Sequence, residues 1–274
     1  MEYPTVCTLL ADSRASETLE TAIACARQLN SHLDVLCIAP PMMDTTAFLP
    51  PLGSGMIADT LEQCRAQVQE TENMARARLR REDFAWSCES LMAGPEGLTR
   101  TVAGASRFSD LAILTRPAAD DVDAETLFDA ILFSTALPIL LCDVAAEPAF
   151  ERITIAWDGS DQALAAARAA LPLLHKARVV TVLMVDPPQS PKGRFAPGEC
   201  LATFLSRHGV ECDIDLLPRL RARISDVLKQ HVNDTQADLL VMGAYGHSKL
   251  REKLLGGVTR DLIQSSDVPL FLAR

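Results

Sequence analysis

The sequence predicts an α/β fold: two doubly wound, mostly parallel five-stranded sheet domains in tandem. Three observations predict it. The chain has 274 residues, about twice the ~100–150 of a common single domain. Short apolar runs of strand length alternate with Ala-rich stretches of helical period, as expected for parallel strands buried on both faces by crossover helices. The order of these segments, with their closing residues, also occurs twice.

The first strands are Thr5–Asp12 and Ile153–Asp158, apolar runs that both end in Asp. Each leads into a helical stretch, Ser16–Asn30 and Asp161–Leu174, the second with Leu164, Ala167, Leu171 and Leu174 at helical spacing. Pro172 is expected to kink that helix near its end, because it lacks an N–H and its ring meets the preceding turn. The next strands are Leu33–Ala39 and Val179–Val185; Ser109–Thr115 matches Ala237–Gly243, and Ser134–Cys142 matches Ser265–Ala273. Pro138 and Pro269 open the last strand of each half, where a missing N–H is tolerated. Asp12 and Asp110 are 98 positions apart, whereas Asp158 and Asp238 are 80 apart. The Pro-rich segment 40–56 and a long helical stretch, Ile57–Arg81, account for the excess. That stretch carries an apolar stripe of Ile57, Leu61, Cys64, Val68, Ala75 and Leu79. With a junction over 143–150, the repeat divides the chain into domains 1–145 and 150–274.

Composition excludes several classes. At 48% hydrophobic and 23% charged residues the chain is a folding one, not a disordered one. No apolar run reaches the ~18 residues of a membrane helix, and Met1–Leu10 lacks the basic and apolar regions of a signal peptide. A cytoplasmic location without a membrane partner is expected. The eight cysteines form no CxxC and lie mostly in apolar runs, which reads as reduced thiols, not a disulfide framework or zinc site. A net charge of −10 argues against nucleic acid. The charge is uneven: residues 1–150 hold 10 Arg, no Lys and 22 acids, and residues 151–274 hold 16 Lys and Arg against 14 acids. An anionic ligand belongs in the second half on this count, although drift of solvated surfaces gives the same imbalance.

The glycine segment after Ala237–Gly243 carries the chemistry. Gly243, Gly246 and Gly256 are spaced G-x2-G-x9-G, with Lys249, Arg251 and Lys253 between them and Gly257, Val258 and Thr259 leading into a helix. Glycines beyond the carboxyl end of a parallel strand let backbone N–H groups approach a phosphate, and the next helix N-terminus adds donors and partial positive charge. Asp158, closing the first strand of the same half, can accept from a ribose or orient a base. The spacing is neither a Walker A loop nor the GxGxxG fingerprint.

This spacing resembles the nucleotide-binding motif of the universal stress protein family, G-x2-G-x9-G-[ST], and the whole chain resembles two such domains fused. The resemblance implies an adenine-nucleotide α-hydrolase-like fold and a site for ATP or AMP, with Mg²⁺ on the phosphates. It implies pairing of the two last strands as an intrachain pseudo-dimer, with a homodimer of such chains as a further step. Residue by residue it assigns Asp158 to the end of the first strand and Val185 to the position whose backbone meets adenine. Gly243, Gly246 and Gly256 fall on the phosphate and ribose loop, and Val258 and Thr259 follow it. Gly257 stands where the family has Ser or Thr, so a phosphate-binding hydroxyl is lost. Trp157 either stacks on a base or fills the pocket. The first half departs throughout: after Thr115 it has no glycine, and Asp120, Asp121, Asp123 and Glu125 fall where a phosphate would sit. Asp12 alone is not a site.

The remaining candidates weigh toward structure. The five histidines, 32, 175, 208, 231 and 247, have no metal-ligand spacing. His247 lies in the glycine segment, as a solvated loop residue or a phosphate contact. No GxSxG elbow occurs. Cys7, Cys37 and Cys142 read as inert core, and Cys88, Cys200 and Cys212 as more exposed. The Arg76–Arg81 cluster reads as a solvated helix face, and the apolar 42–52 stretch as a pocket cover, a partner contact or local packing. No residue resembles an activated nucleophile or strong general base, so catalysis beyond slow ATP hydrolysis is not expected. The leading function is a stress-response sensor or adaptor with an unknown protein partner. The alternative is a nucleotide-free interaction module; a hydrolase or ligase would need a catalytic constellation that the sequence lacks.

Overall fold

A computed structural model describes residues 2–11, 14–39, 54–92, 97–117, 121–143, 148–187, 198–219, 221–244 and 257–274, without the side chains of 54–60 and 122–123. Two compact units divide between Leu137 and Pro138.

The unit Tyr3–Leu137 contains β1 (Thr5–Leu10), α1 (Ala15–Leu29), β2 (His32–Ile38), α2 (Ser54–Leu79), β3 (Trp86–Leu91), α3 (Leu98–Ser106), β4 (Leu111–Thr115) and α4 (Val122–Ser134). Its strands run parallel in the order β3-β2-β1-β4. Val6, Leu10, Leu33, Val35 and Ile113 are almost wholly buried, as expected of strands covered on both faces. The stripe on α2 packs only from Val68 onward: Val68, Ala75 and Leu79 are buried, whereas Leu61 is exposed and Cys64 half-buried. Arg76 and Arg78 are not a freely solvated face. Arg78 pairs with Glu20 at 2.5 Å and Glu82 at 2.6 Å, and Arg76 with Glu72 at 2.7 Å. Burial raises the Glu82 carboxyl, but hydrogen bonds from Arg78 and Arg27 outweigh it and hold the group below its usual range.

The unit Pro138–Arg274 contains β5 (Ile139–Cys142), β6 (Arg152–Ala156), α5 (Asp161–Ala169), α6 (Leu171–Leu174), β7 (Val179–Val185), α7 (Glu199–Arg207), β8 (Asp213–Leu217), α8 (Ile224–Thr235), β9 (Leu239–Gly243), α9 (Val258–Ser265) and β10 (Leu270–Ala273). Strand order is β5-β10-β9-β6-β7-β8. All contacts are parallel except β5 with β10, where Leu141, Leu140 and Ile139 oppose Leu270, Phe271 and Leu272. The expected pairing of the two last strands is therefore present. β10 holds β5 within the unit Pro138–Arg274. Pro172 acts as a break rather than a kink: α5 ends at Ala169 and a new short helix starts at Leu171, with the proline in its first turn.

The repeat extends to hydrogen bonds. Asp110 Oδ2 accepts from the Thr5 N–H at 2.9 Å, and the matching Asp238 accepts from the Glu151 and Arg152 N–H groups at 2.8 and 3.0 Å. In each unit this Asp ties the start of its central strand to the strand that returns beside it. Among the cysteines, Cys88 is buried rather than exposed, Cys200 is exposed and Cys212 half-buried. No described helix is long and apolar enough to cross a membrane.

Candidate functional site

Each unit has a topological switch point, where the chain leaves its central strand for the other side of the sheet and helices diverge over the carboxyl ends. In the unit Pro138–Arg274 it lies between β6 and β9, which pair as far as Ala156 with Met242. Asp158, Val185, Gly243, Gly257, Val258 and Thr259 all come from segments at or just beyond those carboxyl ends. Gly246 and Gly256, with His247, Lys249, Arg251 and Lys253, lie outside the described residues.

Asp158 is exposed. Its Oδ1 accepts from the Ser160 N–H at 2.9 Å and the Ser160 hydroxyl at 2.6 Å. Ser160 Oγ in turn accepts from the Ala163 N–H and caps α5. Gly159 between them sits at φ +82°, the left-handed region that favours glycine. The Asp-Gly-Ser sequence thus builds a tight Asx turn that fixes the carboxylate beside the α5 N-terminus. The half-buried Trp157 donates its backbone N–H to the Leu183 carbonyl at 2.9 Å. Val185 ends β7 opposite Leu217 and is half-buried.

Gly243 has a packing reason to be glycine. A Cβ there would lie 2.5 Å from the Ala163 nitrogen and 2.6 Å from the Gln162 carbonyl carbon. The first turn of α5 therefore rests directly on the end of β9, and no side chain fits between. Gly257 takes the N-cap position of α9 at φ −92° and ψ 152°, with no side-chain cap. Val258 is half-buried, and Thr259 is 4% exposed. The Thr259 side chain packs inward, so it does not restore the hydroxyl that Gly257 lacks.

The first unit's switch point, between β1 and β4, is built differently. Asp12 lies outside the described residues. Arg14 holds the N-cap position of α1 and donates to the Arg116 carbonyl at 2.9 Å, with Asp121 at 4.0 Å. Asp121 caps α4 by accepting from the Ala124 N–H at 2.9 Å. Thr115, which matches Gly243 in the repeat, shares a 2.7 Å hydrogen bond with Thr18. Leu9, Leu114, Leu127 and Phe128 close in around these threonines and leave a cavity of about 30 Å³, room for about one water.

Sequence reasoning placed Asp121 among the acids at this point but not as a cap, and it missed Arg14, Thr18 and Phe128. The signal for Asp121 was present, since an Asp one position before a helical stretch is a cap candidate. Arg14 carried no local signal, because its partners are distant in sequence. Among the described residues no cluster of three or more His, Cys, Asp or Glu side chains is arranged to hold a metal ion.

Comparison with known proteins agrees with this geometry. The sequence profile of the universal stress protein family matches residues 219–274, the stretch that holds α8, β9, the glycine segment, α9 and β10. A universal stress protein of Synechocystis sp. is 27% identical over 70 residues, 26% of this chain and 23% of that protein. The chain thus matches less than a quarter of that relative's length. Among solved structures, a universal stress protein from Archaeoglobus fulgidus aligns with a TM-score of 0.67 at 14% identity, over 98% of this chain and 96% of its own. A universal stress protein from Pseudomonas aeruginosa, described as putative, aligns with a TM-score of 0.53 at 14% identity, over 99% and 93%. At these identities the structures speak for the fold. By the sequence of residues 219–274 and by the fold along its length, the chain resembles a tandem universal stress protein.

Proposed function

We propose that the chain is a cytoplasmic stress-response sensor or adaptor that binds one adenine nucleotide, ATP or AMP, at the switch point of its second repeat. The repeats are taken as domains 1–145 and 150–274. One observation carries the reading: α9 begins at the switch point with a glycine in place of a capping side chain. In the first repeat the matching helix is capped by the protein's own carboxylate, Asp121. A helix N-terminus with no side-chain cap, following a glycine segment with three basic residues, suits a phosphate. In this reading Gly243, Gly246, Gly256, Gly257, Val258 and Thr259 form the phosphate and ribose side. Asp158 faces the ribose, and Val185 the adenine. Mg²⁺ arrives on the nucleotide phosphates.

The test is titration calorimetry of ATP with Mg²⁺ into nucleotide-stripped protein. One site per chain, lost in Gly246→Val, is expected. A second reading, a nucleotide-free interaction module, rests on the missing hydroxyl at Gly257 and the half-buried Trp157. Absence of binding in the parent chain would favour it.

A further inference from the structure

In the first unit, and independently of the nucleotide reading, a cluster of polar and sulfur side chains lies where α2 covers β2 and β3. Cys37 is fully buried on β2, and Cys88 on β3 is 5% exposed. Their sulfurs are 3.9 Å apart. They are diagonal neighbours, since Val35 opposes Cys88 and Cys37 opposes Ser90. From α2, Arg76 donates to the Cys88 carbonyl oxygen and, at 2.7 Å, to Glu72. Glu72 also accepts from the Ser90 hydroxyl. The guanidinium is thereby anchored at two points against the strand that carries Cys88.

Buried cysteines commonly act as small inert hydrophobes. Cys7 fits that description: burial pushes its thiol up to about 12. Cys88 does not. The Cys37 hydrogen bond, with help from the Arg76 charge, outweighs burial and holds the Cys88 thiol below its ordinary range. The same hydrogen bond, together with burial, pushes the Cys37 thiol up. With Arg76 anchored on the Cys88 strand, Cys88 is the sulfur favoured to lose its proton first. A thiolate flanked by a cation and a second thiol has the makings of a redox pair.

We propose that Cys88 and Cys37 form a peroxide-reactive thiol pair, with Cys88 as the attacking sulfur and Cys37 as the resolving one. The Cys88 thiolate attacks one peroxide oxygen, the O–O bond breaks, and the second oxygen leaves as hydroxide and takes up a proton. Cys88 is then a sulfenic acid. The Cys37 sulfur, losing its proton, attacks the Cys88 sulfur; the S–O bond breaks and a second water leaves. In sum two thiols and one peroxide give one disulfide and two waters, the sulfur pair losing the two electrons that the peroxide gains. Closing the bond brings the sulfurs together by about 2 Å and, since diagonal neighbours lie ~7–8 Å apart at Cα, needs the backbone to move as well. β3 ends the strand order and pairs with β2 on one side only, so this strand is the one that yields.

The test treats the reduced full-length chain with hydrogen peroxide, alkylates the remaining thiols in denaturant and maps the digest. A Cys37–Cys88 link that dithiothreitol reverses is expected. Recovery of both cysteines alkylated, after the exposed Cys200 has been oxidised, would overturn the proposal. So would a Cys88 sulfenic acid that never links. Two variants sharpen the roles: Cys37→Ser should stop at a dimedone-trapped sulfenic acid on Cys88, and Arg76→Gln should slow linking about tenfold. An unchanged rate in Arg76→Gln would remove the cation from the mechanism. The digest of the parent chain decides the pair itself, whether or not the variants fold.

Discussion

The two switch points occupy the same place in two copies of one architecture, yet they solve opposite problems. In the unit Tyr3–Leu137 the described side chains fill much of the space from within. Arg14 bridges the end of β4 to the cap of α4, Thr18 and Thr115 share a hydrogen bond, and Phe128 and its neighbours leave a cavity of about 30 Å³. In the unit Pro138–Arg274 two of the corresponding positions carry the least side chain possible. Gly243 stands for Thr115, and Gly257 for Asp121. The chain keeps the fold in both places but caps the helix after the fourth strand with its own carboxylate in only one. A duplicated fold thus separates what the sheet requires from what a ligand requires, because the copy without a glycine segment still folds.

The largest effect tests whether the first switch point is closed for stability. Phe128 is 4% exposed and lines the cavity, so Phe128→Ala should cost about 3–5 kcal/mol, read by urea unfolding, and create no ATP site. An ATP site in that variant would break the comparison, since the first repeat would then be blocked rather than dismantled. Next comes Gly243→Ala. The added Cβ meets backbone atoms of Gln162 and Ala163 that cannot swing aside as a side-chain end would. A loss of about 3 kcal/mol is expected, the upper end of the usual overpacking range. Thr115→Gly at the matching position should cost less, about 0.5–1.5 kcal/mol for the hydrogen bond to Thr18 and about 0.5–1 kcal/mol more for the flexible glycine.

Gly257→Ser sharpens the ligand side. The φ of −92° and ψ of 152° suit any L residue, so serine enters without strain. As a cap it should stabilise α9 by roughly a few tenths of a kcal/mol. As a donor to a charged phosphate it should add about 1.5–3 kcal/mol to binding, roughly 10–100-fold in affinity. Unchanged ATP affinity together with the small stability gain would mean that the phosphate lies elsewhere.

Eight of the ten described strands were legible as short apolar runs between polar turns, and the β7 boundaries, Val179–Val185, agree with the sequence reading at both ends. β3 and β8, each at the end of its unit's strand order, mix polar with apolar residues, are half-exposed and were not read as strands. The repeat was legible because Asp110 and Asp238 mark matching strand starts, where both prove to hold backbone N–H groups. The limits of legibility are physical. The α2 stripe continues past the point where the sheet can cover it, so periodicity at Leu61 and Cys64 does not bring burial. Arg76 and Arg78 look like solvated charge in sequence because Glu20 and the Cys88 carbonyl come from the folded arrangement, although Glu72 and Glu82, each four residues away, were partners within reach of a local reading. Gly243 also has a packing reason that the sequence does not show, because its nearest neighbours are the first turn of α5. The exposure expected for Cys88 failed because β3 lies beneath α2.

The smallest effects come from the two aspartates that end the first strands, and they divide the comparison most finely. Asp158 Oδ1 holds both the N–H and the hydroxyl of Ser160, so Asp158→Ala should cost about 1 kcal/mol of stability through the turn alone. It should also weaken ATP binding, since the carboxylate faces the ribose in the proposed site. Asp158→Asn keeps an Oδ1 acceptor, preserving the turn while removing the charge. Stability near the parent with weakened binding in Asp158→Asn would assign the carboxylate to the ligand. Weakened binding in the alanine variant alone would assign it to the turn that positions α5. Asp12→Ala should leave calorimetric ATP binding unchanged, because the first repeat has neither the glycine segment nor an uncapped helix beyond its fourth strand. A fall in affinity there would mean that the first repeat takes part in the site after all, and that the closure by Arg14, Thr115 and Phe128 is not the end of its function.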